Sequence, residues 1–187
     1  MAYETAYIEE KLRRWENYLQ RFRLPDWEEL PDTGLRMVEV LAYIRSCLDY
    51  LPAELKDDRL VTAAAVNNYV RLRAMPRPRA RRYYRVHLAY LLMICTLKQS
   101  LSLAMIRQLL PCDLSEEEMR LRYEAYVDRQ SRLTVAFART GLESALPVLE
   151  GRSGDDAARV LVESACVVSS FSRLLAEKLL LLEQENS

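Results

Sequence analysis

Apolar residues recur at intervals of three and four through most of this 187-residue chain, the spacing that places them on one face of a helix. The first segment shows the pattern clearly, with apolar side chains at Ile8, Leu12, Trp15, Leu19 and Phe22. The chain has four glycines, whereas a β-sandwich needs glycine-rich turns at short intervals. The sequence therefore predicts an all-α fold with short connections.

Prolines, capping residues and apolar periodicity divide the chain into seven predicted helices. They cover approximately residues 8–22, 35–48, 63–72, 84–99, 103–110, 115–139 and 155–183. Leu51-Pro52 and a polar link from Glu54 to Arg59 are expected to separate the second helix from the third. Gly141 is expected to end the sixth helix. The fourth helix is apolar on nearly all sides, which predicts that it is the central core helix.

Three of these helices begin at recognisable capping residues. Thr62 and Ser102 are predicted N-caps of the third and fifth helices, because their hydroxyls can accept from backbone N–H groups of the first turn. Ser115 and Glu118 have the spacing of a capping box at the start of the sixth helix. Between the third and fourth helices, Pro76 and Pro78 exclude helix, and Ala80 to Tyr83 is expected to form a short hairpin or wing.

The formal net charge of zero hides a strongly basic segment. From Arg59 to Cys112 there are nine arginines, one lysine and no acidic residue, so this segment carries +10 and the remainder −10. Such an asymmetry indicates a polyanionic partner, or else pairing with the chain's own acidic connector (residues 26–32) and last helices. Seven of the arginines fall within fifteen residues: Arg71, Arg73, Arg77, Arg79, Arg81, Arg82 and Arg85.

The sequence offers little support for catalysis, metal binding or a membrane span. His87 is the single histidine and has no carboxylate or cysteine beside it, and there is no glycine-rich phosphate loop. We therefore expect no enzyme activity, no cofactor and no metal site. The longest apolar run, Val86 to Leu97, is too short to cross a bilayer, and no stretch has the pattern of a signal peptide. A cytoplasmic location is expected. The four cysteines lack paired spacing and are expected to be free thiols: Cys47, Cys95, Cys112 and Cys166.

The order of motifs in the middle of the chain resembles the winged helix-turn-helix domain of MerR-type regulators. In that family the second helix ends in a tyrosine-bearing turn, a Leu-Pro-x-Pro-Arg-like stretch leads into a wing, and a Ser-Leu-x-x-Ile helix follows. The corresponding elements here are Val61 to Val70, Met75-Pro76-Arg77-Pro78, Tyr83, and Ser102-Leu103-Ala104-Met105-Ile106. The sequence is also similar, more closely, to an uncharacterised bacterial family that carries a MerR-like domain. Asn67-Asn68-Tyr69-Val70, Pro76-x-Pro78 and Leu97-Lys98-Gln99 carry that similarity, which spans residues 30 to 112.

This resemblance implies a transcriptional regulator that binds duplex DNA. The third helix would enter the major groove, where Asn67 or Asn68 can bond bidentately to adenine. The wing arginines could enter the minor groove, and the rest of the cluster would hold phosphates. The candidate DNA-contacting residues are Thr62, Asn67, Asn68, Tyr69, Arg71, Arg73, Arg77, Arg79, Arg81, Arg82, Tyr83 and Arg85.

Three positions depart from the family pattern. The turn after the second helix of the domain usually carries a glycine, and Arg73 stands there instead. The wing lacks glycine, and Tyr84 stands where a small polar cap is usual. An alternative function is therefore a helical adaptor that uses the same basic surface to bind an acidic protein partner. The operator, any small-molecule effector and the direction of regulation are not specified by the sequence.

The predicted organisation has three parts: an N-terminal helix and connector (1–29), the MerR-like domain (30–112) and a helical dimerisation or sensing region (113–187). The sixth helix carries a heptad stripe, and the resemblance places a homodimer seam there. The seam residues would be Met119, Tyr123, Tyr126, Leu133 and Phe137. Packing of both C-terminal helices on the N-terminal helix is the alternative. The apolar positions of the last helix exceed a single stripe, so that helix needs more than one neighbour.

Overall fold

A computed structural model describes residues 4–50, 61–150 and 152–185. Within these ranges the chain forms seven α-helices and no β-strand, which confirms the predicted all-α class. The expected break at Leu51-Pro52 and the polar link from Glu54 to Arg59 lie outside the described residues. The helices are α1 (Thr5–Leu19), α2 (Met37–Cys47), α3 (Ala63–Arg71), α4 (Arg85–Leu97), α5 (Leu103–Leu109), α6 (Glu116–Leu149) and α7 (Gly154–Glu185).

The chain divides into two compact units. One unit comprises Met1–Arg23 and Gln130–Ser187, and the other comprises Leu24–Arg129. We call them the terminal unit and the central unit. The central unit contains the predicted domain of residues 30–112 and extends beyond it at both ends.

The central unit is built around α4. Every residue of α4 from Val86 to Cys95 is buried, as the apolar character of this segment predicts. α2 packs against α4 and α3, and α5 packs against α4. The buried Tyr90 donates a hydrogen bond from its hydroxyl to the carbonyl oxygen of Pro111 at 2.6 Å, so this buried polar group has a partner. A helix surrounded by neighbours in this way fixes the positions of the elements attached to it.

Trp27 explains why the connector and the start of α6 belong to the central unit. Its indole is buried and lies 6.1 Å, centroid to centroid, from the ring of Tyr123 on α6. The Tyr123 hydroxyl donates to the carbonyl oxygen of Pro25 at 2.8 Å. Glu28 adds ion pairs with Arg85 at 3.0 Å and Arg120 at 3.5 Å. These contacts join the connector, which precedes residues 30–112, to the start of α6, which follows them. Apolar periodicity alone does not predict this pairing.

The terminal unit contains α1, the second part of α6, and α7. The Trp15 ring meets the Phe137 ring edge to face at 5.9 Å, and α1 also packs against α7. The prediction that Gly141 ends the sixth helix is wrong, because α6 continues to Leu149. Gly141 costs a helix about 1 kcal/mol, whereas burial of an apolar side chain such as that of Leu142 stabilises it by about 1.5–3 kcal/mol. Packing therefore outweighs propensity at this position.

Among the described residues, no helix combines the length and the apolar character needed to cross a membrane.

Candidate nucleic-acid interface

The third helix is anchored at both of its ends. The Thr62 hydroxyl accepts a hydrogen bond from the Ala65 N–H at 3.0 Å, which confirms the predicted N-cap. Val66 and Tyr69 form the buried face of the helix. The Tyr69 hydroxyl accepts from Lys98 Nζ on α4 at 3.0 Å, and burial raises the pKa of this phenol. Tyr69 therefore positions α3 on the core and presents little of itself to solvent.

The opposite face of α3 is open to solvent. Ala63, Ala64 and Asn67 are exposed, and so is Arg71 at the end of the helix. Asn68 is half-buried, and its Oδ1 accepts from Arg71 Nη2 at 2.7 Å. This bond orients both side chains along the exposed face. Of the two candidate asparagines, Asn67 is the more accessible.

The turn after α3 has the backbone geometry that usually selects glycine. Arg73 has φ = +56°, in the left-handed region. The Ala74 N–H donates a hydrogen bond to the Tyr69 carbonyl oxygen at 2.8 Å. A residue with a Cβ pays about 1–2 kcal/mol for this conformation. The turn therefore forms although Arg73 stands where the MerR-type pattern has glycine.

We expect Arg73→Gly to raise the free energy of unfolding by about 1 kcal/mol, because glycine adopts a positive φ without steric conflict. Arg73→Asn should recover part of this gain, since asparagine also tolerates the left-handed region. Arg73→Ala keeps the Cβ and is the matched control for loss of the guanidinium. Urea denaturation of the three variants measures the difference, and equal stability of the glycine and alanine variants would contradict the assignment.

The predicted hairpin is present as a two-residue turn. Arg79 and Arg82 exchange both backbone hydrogen bonds, at 2.9 and 3.1 Å, around Ala80 (φ = +47°) and Arg81 (φ = +60°). Two successive positive φ angles are the geometry of a type I′ turn. We call residues 79–82 the arginine hairpin. Its turn forms without glycine, so the glycine-free sequence does not prevent hairpin formation.

A second backbone bridge ties this hairpin to the segment before α2. Leu35 and Tyr83 exchange hydrogen bonds at 2.7 and 2.9 Å. Gly34 precedes this bridge with φ = +74°, and a Cβ there would lie 3.2 Å from the Tyr84 ring. Tyr83 is buried and meets the His87 ring edge to face at 5.7 Å, so this candidate DNA-contacting residue supports the hairpin from within.

His87 forms hydrogen bonds at both ends of the segment 77–84, which contains the arginine hairpin. Its Nδ1 accepts from the Tyr84 N–H at 3.0 Å, and its Nε2 lies 3.0 Å from the Arg77 carbonyl oxygen. A proton on Nε2 and none on Nδ1 satisfies both bonds, so the neutral imidazole fits the site. Burial lowers the pKa of His87 and favours that neutral form. This role of His87 was not predicted, although its position three residues after the N-cap Tyr84 is a signal that the sequence contains.

The arginines of the cluster fall into two groups. Arg85 pairs with Glu28 at 3.0 Å, donates from Nε to the Leu30 carbonyl at 3.1 Å and lies over the Trp27 ring. It therefore has a structural role in the connector. The other six are exposed, and none has a carboxylate within the 4.0 Å ion-pair distance in the described part of the chain: Arg71, Arg73, Arg77, Arg79, Arg81 and Arg82.

Besides Arg71, which is bonded to the Asn68 amide, two of these six are oriented by uncharged groups. Arg82 donates from Nη1 to the Gly34 carbonyl oxygen at 3.3 Å, and the Arg79 guanidinium lies 6.0 Å from the centre of the Tyr84 ring. Neither contact neutralises the positive charge. The structure therefore keeps the charge available to an anionic partner while limiting how far these two side chains move.

The candidate dimer seam is divided between buried and exposed positions. Met119 and Tyr123 are completely buried in the central unit, and Tyr126 is half-buried with its hydroxyl bonded to that of Thr96. These three residues have little surface to offer a second chain. Leu133 and Phe137, in the terminal unit, are more than half exposed.

In the described ranges, no group of three or more His, Cys, Asp or Glu side chains has the arrangement of a metal site. Cys47 and Cys112 are half-buried, Cys95 is buried and Cys166 is exposed, and all four are free thiols.

Comparison with known proteins identifies the family of the central unit. Residues 25–127, more than half of the chain, match the family described as "Domain of unknown function (DUF1836)", and the chain belongs to it. The matched residues coincide with the central unit to within two residues at either end. Neither a curated protein nor a solved structure matches the chain significantly.

Proposed function

For this member of the DUF1836 family, we propose that the central unit is a MerR-like domain that binds duplex DNA and regulates transcription. α3 is the recognition helix, and the arginine hairpin is the wing. The observation that carries this proposal is the set of six exposed arginines that have no carboxylate partner among the described residues. If the cluster served only to balance the chain's own acidic residues, more of its members would be paired as Arg85 is.

The chemistry of these arginines suits the DNA backbone. A guanidinium presents several N–H donors in a plane and binds phosphate oxygens in a bidentate manner. Each phosphate that is neutralised releases counterions, so it contributes about 0.9 to the slope of log affinity against log salt. Four of the six arginines lie in or next to the hairpin, which concentrates this contribution on one short segment: Arg77, Arg79, Arg81 and Arg82.

Base reading is assigned to the exposed face of α3. Asn67 is accessible, and its amide can donate to N7 and accept from N6 of adenine in the major groove. The small side chains of Ala63 and Ala64 allow the start of the helix to approach the base edges closely. Asn68 contributes by holding Arg71, whose guanidinium would bind the DNA backbone.

The experiment is a salt titration of binding to a pool of random duplexes, followed by sequencing of the retained DNA. We expect affinity to fall as salt rises, and we expect Arg79→Ala with Arg81→Ala to reduce the slope by about 1.8. The matched control removes two exposed arginines of the terminal unit, Arg13→Ala with Arg139→Ala, and should leave the slope unchanged.

Sequence preference separates base reading from phosphate binding. Asn67→Ala should change which duplexes are retained while leaving the salt slope as it is, because the amide carries no charge. Failure of the unaltered protein to bind any duplex at low salt would contradict the proposal and favour the acidic-protein adaptor. Unchanged retention in both the arginine and the asparagine variants would place the DNA-binding face elsewhere.

A further inference from the structure

In the described part of the chain, the middle of α7 is exposed on all sides. All fourteen residues from Val162 to Leu175 are exposed. An isolated helix of this length is marginal in water, and the valines and serines here are weaker helix formers than alanine. Nine apolar side chains of α7 are more than half exposed: Val162, Val167, Val168, Phe171, Leu174, Leu175, Leu179, Leu181 and Leu182.

These side chains are concentrated on one face. Positions 167, 171, 174, 175, 179 and 182 follow the three-and-four spacing of a single helix stripe. Arg159, Arg173 and Glu177 lie on another face of the helix, and Glu163 lies at the edge of the stripe, one turn before Val167. Lys178 is the one charged residue within the apolar stripe.

The exposed apolar area is too large for an ordinary monomer surface. At these exposures the nine side chains present roughly 700–900 Å², whereas the largest apolar patch of a typical monomer is about 300–600 Å². About 800 Å² is what each partner buries in an interface of standard size. The apolar surface on α7 is therefore large enough to form the apolar part of an interface of standard size.

The charge of α7 argues against a membrane or a nucleic acid as the partner. Residues 154–185 contain six acidic and three basic residues. A helix that binds anionic lipid carries lysine and arginine along its polar face, and a DNA-binding surface is basic. A second copy of the same stripe offers an apolar surface of matching length, interrupted by the single charge of Lys178.

We propose that the apolar face of α7, centred on Leu174 and Leu175, packs against the same face of a second copy and makes the protein a homodimer. The two helices are antiparallel. Reversal about the midpoint of the stripe places Val167 opposite Leu182 and Phe171 opposite Lys178, so each ammonium group meets an aromatic ring. A parallel alignment would instead place two Lys178 ammonium groups side by side in an apolar seam.

This interface lies outside the residues that match the family and does not depend on DNA binding. It also differs from the seam predicted on α6, part of which is buried in the central unit. Two-fold symmetry would suit a palindromic DNA site, but the dimer is tested with the free protein.

Analytical ultracentrifugation of the full chain without DNA is the primary test. We expect the unaltered protein to sediment as a dimer, and we expect Phe171→Glu and Leu175→Glu each to weaken dimerisation at least a hundredfold. Ser170→Glu adds the same charge to the charged face and should remain a dimer. A monomer at every concentration of the unaltered protein would overturn the proposal even if a glutamate variant fails to fold. Equal weakening by Ser170→Glu would also overturn it, as would binding of the monomer to phosphatidylserine-containing vesicles.

Disulfide cross-linking tests the orientation. In a Cys166→Ser background, Leu174→Cys should form a cross-linked dimer on mild oxidation, because this position lies beside the two-fold axis. Leu182→Cys should not, since the two copies of residue 182 would be about 22 Å apart along antiparallel helices. Cross-linking at residue 182 and not at residue 174 would overturn the antiparallel arrangement.

Discussion

Replacing Trp27 by alanine is expected to lower the free energy of unfolding by about 3–5 kcal/mol, the range found for truncation of a buried large aromatic side chain. The indole is 3% exposed and lies close to both the Tyr123 ring and the Arg85 guanidinium. Its removal leaves a cavity where the connector, α4 and α6 meet. It also removes the aromatic face that supports Arg85 in its ion pair with Glu28.

Trp15→Ala is the matched control for this prediction. Trp15 is 42% exposed, and its described ring contact is the edge-to-face pair with Phe137, so we expect a loss of about 1 kcal/mol. Urea denaturation followed by circular dichroism gives both values. If the two variants are equally stable, the connector is not part of the core of the central unit.

The elements that the sequence predicts well are those with local causes. Thr62, Ser102 and Ser115 each accept the expected hydrogen bond from the first turn of their helix. Capping depends on residues three positions apart, so it can be read from the chain directly. The continuous burial of α4 follows from its composition for the same reason.

Tertiary contacts explain what the sequence did not reveal. Gly141 remains helical because neighbouring apolar residues are buried, and Arg73 adopts a positive φ because the turn joins α3 to the hairpin segment. In the sequence, nothing distinguishes Arg85 from the other arginines of the cluster. Its partner Glu28 is 57 residues away, so the ion pair becomes visible only in the folded structure. Among the candidate DNA-contacting residues, the six exposed arginines and Asn67 are accessible to solvent. Tyr69 and Tyr83 are buried and pack in the core.

His87 gives the second large effect. His87→Ala removes the acceptor of the Tyr84 N–H and the donor to the Arg77 carbonyl, and a partly buried group left without a partner costs up to about 1–3 kcal/mol. We therefore expect a loss of about 2–5 kcal/mol in the free energy of unfolding and weaker DNA binding through a loosened hairpin. His87→Gln is the informative comparison. Glutamine at the third helical position can still accept from the N-cap N–H, so this variant should lose less.

The pH dependence of stability distinguishes these roles further, because His87 is the single histidine of the chain. Its pKa in the folded state is lowered from 6.5 by burial, so the unfolded chain takes up a proton first as the pH falls. The contribution of the neutral imidazole is complete above pH 6.5 and declines as the pH falls below that value. Between about pH 7.5 and 5.5, mostly above the range in which carboxylates titrate, the unaltered protein should lose stability whereas His87→Gln should change little. Equal slopes for the two proteins would show that a group other than the imidazole at the base of the arginine hairpin controls the response.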